Sequence, residues 1–262
     1  MSEPSGTDRP LLEMRGVSVS AMRDQNTVIM ENVDWTVAAG DFWVIGGLQG
    51  AGKSDFLLLA GGLMAPVAGT YSFREEKMPI FEDHRLRERL KLGFVFDGGQ
   101  LLNHLTIAEN IALPLRYHKN LGIEQARAEV QRMLDLTDLA PWADSTPGAV
   151  GRNWQQRVGL ARALMLRPEV LLLDNPLGGL DLRHRGWWLN FLSELSSGHE
   201  WLDKKPVTLV VTADDLPPWR KRARQFAVLK EKRFVIIGSW DDVEKATDER
   251  VQDLLAFAAQ AS

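Results

Sequence analysis

The run Gly47-Leu48-Gln49-Gly50-Ala51-Gly52-Lys53-Ser54 constrains the fold of this chain more than any other stretch. It fits the phosphate-loop pattern G-x-x-x-x-G-K-[S/T], which requires a strand leading in and a helix leading out. "DFWVI" before it is a short apolar strand, and "KSDFLLLAGGL" after it reads as a helix. The glycines let backbone N–H groups turn inward around phosphate oxygens, and the helix directs its positive end at them. Lys53 is then placed to bridge the β- and γ-phosphates of a nucleotide, and Ser54 to offer its hydroxyl oxygen to Mg²⁺. Gly47, Gly50, Ala51, Gly52, Lys53, Ser54 and Asp55 are the candidate nucleotide-binding residues of this loop.

The remaining pattern is that of an α/β chain. "LLEMRGVSVSA" and "TVIMENVDWTV" are strands of a small N-terminal sheet, and "TYSF", "LKLGFVF", "VLLLD" and "PVTLVVTA" are further strands. "FAVLKEKRFVIIG" reads as a hairpin. Between them the character turns helical. "TIAENIALPLRYH" opens on a threonine cap, "GIEQARAEVQRMLDLTDL" spaces its apolar residues helically, and "WQQRVGLARALMLRPE" is a helix stopped at Pro168. A nucleotide-type α/β core interrupted by a helical insert accounts for this order. "DERVQDLLAFAAQ" is expected to be one amphipathic helix, and the polar opening 1–9 a frayed tail rather than a signal peptide.

Composition removes several classes of function. A hydrophobic content of 45% supplies a packed core, and a net charge of −4 gives no bulk basic field for nucleic acid, so no nucleic-acid partner is expected. The absence of cysteine excludes disulfides and thiolate chemistry, and the histidines lack metal-ligand spacing. The apolar stretch "FLLLAGGLMAPVAG" is broken by glycines and Pro66, short of the roughly 20 apolar residues a bilayer demands. The runs "FEDHRLRERLK" and "WRKRARQF" are assigned to solvated helix surface. Trp35, Trp43 and Trp240 are expected in the core, and Trp187 and Trp188 in either the core or a partner surface.

The ordered motifs resemble those of ABC (ATP-binding cassette) ATPase subunits from about Leu11 to Gly238. Besides the phosphate loop, "FVFDGGQLLNHLTIAENI" matches the Q-loop region and "QQRVGLARALMLRPEVLLLDNP" the helix and metal strand. "LGGLD" matches the D-loop and "LVVTADD" the switch-histidine region. The ending "GSWDDVEKATDERVQDLL" is similar to that of Mla-type lipid transporter ATPases. The resemblance implies a P-loop NTPase (RecA-like) core with an N-terminal antiparallel β-subdomain and an inserted helical subdomain. The nucleotide-binding domain would span 10–240, with helices at about 98–165, and a C-terminal helical extension would follow at 241–262. It also implies ATP and Mg²⁺ as cofactors, with Asp174 joining Ser54 at the metal and Asp181 matching the D-loop aspartate. Partners would be membrane permease subunits, contacted through Leu101 to Leu115, and a second ATPase subunit in a homodimer or heterodimer. The implied location is cytoplasmic, peripheral on the inner face of the cell membrane.

The departures from that family fall on chemical positions. The glutamate that polarises attacking water is Asn175, and an amide cannot take a proton; losing such a base typically costs about 10²–10⁴ in rate. The switch histidine is Ala213, and the Q-loop glutamine is Asp97, with Gln100 nearby but out of register. The signature reads Val150-Gly151-Arg152-Asn153-Trp154, placing bulk where the family has glycine and glutamine. Ala21 stands where many members stack an aromatic on adenine, leaving Met22 or Arg23 to cover the base. The expected function is a transporter subunit that binds Mg-ATP and hydrolyses it weakly or not at all. Alternatives are a nucleotide-independent scaffold, a membrane-free ABC protein acting on nucleic acid or ribosomes, and a divergent active ATPase recruiting Asp97, Asp214 or Asp215 as base.

Overall fold

The computed structural model describes residues 10–80 and 83–256; the expected tail at 1–9 and the end of the expected C-terminal helix, 257–262, lie outside the described residues. In chain order, β1 (Leu12–Ala21) and β2 (Asp24–Val37) form a long hairpin, and β3 (Phe42–Gly46) leads through the phosphate loop into α1 (Lys53–Ala60). Then come β4 (Ala68–Phe73), β5 (Glu76–Lys77), α2 (Leu86–Arg89) and β6 (Leu92–Val95). The helices α3 (Ile107–His118), α4 (Ile123–Leu136) and α5 (Arg152–Leu164) precede β7 (Val170–Leu173), α6 (Leu182–Ser197) and β8 (Thr208–Ala213). β9 (Gln225–Lys230), β10 (Arg233–Gly238), α7 (Trp240–Lys245) and α8 (Glu249–Ala256) close the described chain.

Two sheets result. An antiparallel one has the order β2-β1-β4-β5, and a six-stranded one runs β10-β9-β3-β8-β7-β6. In the larger sheet every neighbouring pair is parallel except β10 with β9. β3, β7 and β8 are buried along their whole length, as strands covered on both faces must be.

The period of two along these strands sorts their side chains into two cores. Phe42, Val44, Leu171, Leu173, Leu209 and Val211 pack with the inserted helices and α6. Trp43, Ile45, Val170, Leu172 and Val210 pack with α1 and the antiparallel sheet, where Trp35 meets Phe56 with centroids 5.3 Å apart. The sheets are also joined directly, the Glu31 N–H donating to the Lys232 carbonyl at 2.9 Å. The expected α/β architecture is present, with three helices between β6 and β7.

Thr106 caps α3 as expected, in a reciprocal box with Glu109. Behind that cap Asn110 is wholly buried; its Oδ1 accepts from Leu102 N–H at 2.9 Å and its Nδ2 donates to the Leu102, Leu105 and Thr106 carbonyls. These bonds fix the loop that leads from β6 toward α3.

Some sequence expectations are corrected. "WRKRARQF" is not a helix end: the 3₁₀ turn Pro217–Trp219 ends on Trp219, fully buried edge-on to Phe42, and an irregular turn with exposed Arg220, Lys221 and Arg224 leads from it into β9. The described part of the run at 81–91 yields a 3₁₀ turn, Asp83–Arg85, and the four-residue α2 rather than one longer helix, with strand β6 following at Leu92. Trp240, expected in the core, starts α7 half-buried at the core's margin, edge-on against Phe226. Helix α6, unread in the sequence, spaces Trp188, Phe191, Leu192 and Leu195 along one buried face behind an Asp181 cap. Trp188 is in the core and Trp187 packs against it, stacked on Phe191.

Candidate phosphate site and its relatives

The phosphate loop leaves β3 at its carboxyl end, where parallel strands open a crevice for ligands. Gly50 and Gly52 take left-handed φ angles of 82° and 86°, available to glycine at no steric cost. At Gly52 there is a second reason: a Cβ would lie 2.9 Å from Cδ1 of Ile29. Gly52 is also the N-cap of α1, and no side chain caps that end, so its first N–H groups face the loop.

The carboxyl ends of β6, β7 and β8 bring up the rest. A cleft of about 410 Å³ is lined by Gln49, Gly50, Gly52, Lys53, Ser54, Asp55, Asp97, Asp174, Asn175 and Asp214. Sequence reasoning therefore placed most of this wall. Gly47 and Ala51 line a neighbouring hollow with Leu229 and Leu254. Ala213, expected at the switch-histidine position, ends β8 buried, its carbonyl accepting from Gly47 N–H at 3.2 Å.

Buried Asp174 is held by hydroxyls. Thr212 Oγ1 donates to its Oδ1 at 2.9 Å while accepting from the Asn175 N–H at 3.0 Å. Burial raises the Asp174 pKa; hydrogen bonds from Ser54 and Thr212 act against that rise, Asp97 adds to it, and Lys53 opposes it. A Lys ammonium, a Ser hydroxyl and an Asp carboxylate facing glycine backbone form a donor set suited to a Mg-phosphate group. Among the described residues no group of three or more His, Cys, Asp or Glu side chains is placed to hold a metal ion.

Lys53 is itself fully engaged. Its Nζ donates to the Gly47 carbonyl at 2.5 Å and the Leu48 carbonyl at 3.0 Å, and pairs with Asp214 at 2.8 Å. Asp214 also accepts from Asn175 Nδ2 at 2.8 Å. Asn175 has a φ of 45°, tolerable for asparagine, and its carbonyl accepts from buried Gln156 at 3.3 Å. Of the other carboxylates weighed as bases, Asp97 is paired with Arg152 at 2.5 Å and Asp215 is turned away to Arg185 at 2.8 Å. Thr212 and Gln156 were missed by sequence reasoning, which had no signal for a threonine one position before Ala213 or a glutamine buried in α5.

The altered signature has partners within the chain. Arg152 reaches Asp97 beside the cleft, while Asn153 Nδ2 donates to His184 Nε2 at 2.7 Å. His184 then carries its proton on Nδ1 and donates to Asp181 at 2.8 Å. His184 N–H also bonds the Asp181 carboxylate, the main reason its pKa is lowered. Trp154 packs edge-on to His184 at 5.5 Å, and Arg157 lies 3.7 Å over the Trp187 ring. At the hairpin end of β1, Ala21 offers no ring, and Met22 is 64% exposed with its N–H bonded to Asp55 at 2.8 Å.

Comparison with known proteins agrees with this geometry. The ABC transporter family profile matches residues 30–178. The chain is 36% identical over 214 residues to the spermidine/putrescine import ATP-binding protein PotA of Trichodesmium erythraeum, covering 82% of this chain and 53% of that protein. It is 31% identical over 246 residues to the intermembrane phospholipid transport system ATP-binding protein MlaF of Escherichia coli K12, covering 94% of this chain and 88% of that one. The chain thus spans about half the length of the first relative and most of the second. A dimeric ATP-binding cassette solved in a post-hydrolysis state with ADP and phosphate superimposes with a TM-score of 0.74 at 29% identity, over 85% of this chain and 95% of that one. With a phosphate loop at the end of β3, an aspartate directly after β7 and a family profile spanning both, this chain belongs to the ABC transporter family of ATP-binding cassette proteins.

Proposed function

We propose that this chain is the nucleotide-binding subunit of a membrane transporter, that it binds Mg-ATP, and that it hydrolyses it weakly or not at all. One observation carries the reading: Lys53, Ser54 and Asp174 converge on a single cleft, while the residue beside Asp174 is the amide Asn175. Bound Mg²⁺ would neutralise phosphate charge. Ser54 and Asp174 would hold it, the loop N–H groups would orient the phosphates, and Lys53 would bind the β- and γ-oxygens. No side chain at 175 or 213 takes a proton from water, so the bound state outlasts that of an ordinary cassette.

The two relatives are named for polyamine import and phospholipid transport. The fuller match, to the phospholipid system, makes lipid the cargo class to test first. Among the described residues no helix is long and apolar enough to cross a membrane. The membrane contact is accordingly assigned to permease subunits, docked on the segment from Leu101 to Leu115, and the nucleotide to a shared interface with a second ATPase subunit. That arrangement places the chain at the cytoplasmic face.

The test is Mg-ATP binding and phosphate release by the chain purified with its native partners, beside the same preparation carrying Lys53→Ala. Binding that is lost in Lys53→Ala, with release near background in both, is the expected result. Vigorous release that disappears in Lys53→Ala sinks the reading and favours a divergent active ATPase.

A further inference from the structure

The Lys53 ammonium has three protons and meets three acceptors: the Gly47 carbonyl, the Leu48 carbonyl and the Asp214 carboxylate. None is left for a phosphate. Two of these acceptors are backbone of the loop and stay with it. The third sits on a side chain that is 41% exposed at the cleft mouth and can swing away. An incoming phosphate and Asp214 therefore compete for one site on Lys53.

Asn175 decides how well Asp214 competes. Its Nδ2 donates to Oδ2 of Asp214 while Oδ1 of the same carboxylate faces Lys53. A carboxylate at 175 would have no proton to give and would repel Asp214; the amide holds it in place. The substitution that removes the base thus also creates a donor. The positive φ of Asn175 and the Asn175 N–H bond to Thr212 fix the backbone from which that donor projects.

We propose that Asp214, oriented by Asn175, is an internal stand-in for phosphate on Lys53, so that nucleotide enters the cleft by displacing it and its hold sets the nucleotide affinity. The segment that follows Asp214 is tethered. Asp215 is bound to Arg185 of α6, and Leu216 N–H to the Leu254 carbonyl of α8 at 3.2 Å. A Cβ on Gly46 would lie 2.9 Å from both Leu216 Cδ2 and Leu254 Cδ1, so this tether packs directly on the strand that feeds the loop.

The inference rests on the nucleotide reading above, and a double-mutant cycle separates the two. Mg-ATP affinity is measured by calorimetry on the full chain as wild type, Asp214→Ala, Asn175→Gly and the double variant. Glycine is chosen because it accepts the positive φ that alanine resists. Asp214→Asn serves as an isosteric second variant should Asp214→Ala fold poorly. Asp214→Ala is expected to bind about two- to fivefold tighter, the scale of a partly exposed ion pair. Asn175→Gly, which changes no charge, is expected to tighten binding by a smaller factor, and to have no effect once Asp214 is gone. Additive effects, or binding in Asp214→Ala and Asp214→Asn no tighter than wild type, overturn the proposal while leaving nucleotide binding intact. No binding in wild type with binding restored in Asp214→Ala is the proposal's strongest outcome. No binding in any variant overturns both readings.

Discussion

Asn175 and Asp214 face each other across a 2.8 Å hydrogen bond, amide to carboxylate, at the position where the family resemblance leads one to expect a glutamate. A glutamate there would leave two carboxylates opposed beside Lys53. Asn175→Glu alone is therefore expected to raise phosphate release by much less than the roughly 10²–10⁴ that a positioned base supplies. Asn175→Glu combined with Asp214→Ala is expected to exceed the single variant at least tenfold. Equal rates, measured with the partner subunits present, would show that Asp214 does not oppose the base.

Arg152 neutralises Asp97 at the edge of the same cleft. In Arg152→Ala that carboxylate is uncompensated among acidic neighbours, and Mg-ATP affinity is expected to fall several-fold in low salt. Because the pair is exposed, the loss shrinks as ionic strength rises. Asp97→Asn in the Arg152→Ala background should recover the affinity, as read by titration at two salt concentrations.

Burial raises the Asp174 pKa, and the sign of its effect on stability follows. A carboxyl with a raised folded pKa contributes stability that is whole below its ordinary value of 3.8 and is lost as pH rises through the folded value. Asp174→Asn avoids burying that charge. The nucleotide-free variant is expected to melt higher than wild type at neutral pH, by a margin that closes in acid, while the Mg²⁺-dependent part of ATP binding disappears. Thermal melts across pH, with and without Mg-ATP, check both halves.

The cap on α3 gives a prediction away from the cleft. Thr106→Ala removes the side-chain acceptor for Glu109 N–H and is expected to cost about 1 kcal/mol in urea unfolding. The Thr106 N–H is the chief reason the Glu109 pKa is lowered, so its stabilising effect is present above the ordinary glutamate range and fades as pH falls through the lowered value. Glu109→Gln should flatten that acid limb.

Trp219 lies fully buried against Phe42 within a run that reads as basic surface. Trp219→Ala is expected to destabilise by about 3–5 kcal/mol, as large aromatic truncations in cores do. A change of under 1 kcal/mol in denaturant unfolding would return the run to the solvent.

The contrast between Lys53 and Asp214 explains what the sequence made legible. Lys53 is fixed by local constraints: a strand, a glycine loop of set length and a helix start, all contiguous. The apolar runs of β3, β7 and β8 are local in the same sense, and their burial follows from composition alone. Asp214 gains its meaning from contacts with residues far back in the chain, Lys53 and Asn175. The Arg152–Asp97 and Asn153–His184 bonds are likewise long-range in sequence. Nothing in spacing encodes such pairs. Helix α6 was within reach, since an aspartate cap and apolar residues at helical intervals announce it. Trp219 was not, because its burial depends on where β3 passes beneath it.

The bonds made by Arg152, Asn153 and Trp154 bear on whether this chain could return to an ordinary cassette. Restoring the family residue at any one of these positions strands a group elsewhere: Asp97 without its cation, His184 without its donor, or the His184 ring without its aromatic neighbour. Arg152, Asn153 and Trp154 are thus coupled through Asp97 and His184, so a change at any one of them is felt at a partner elsewhere in the chain.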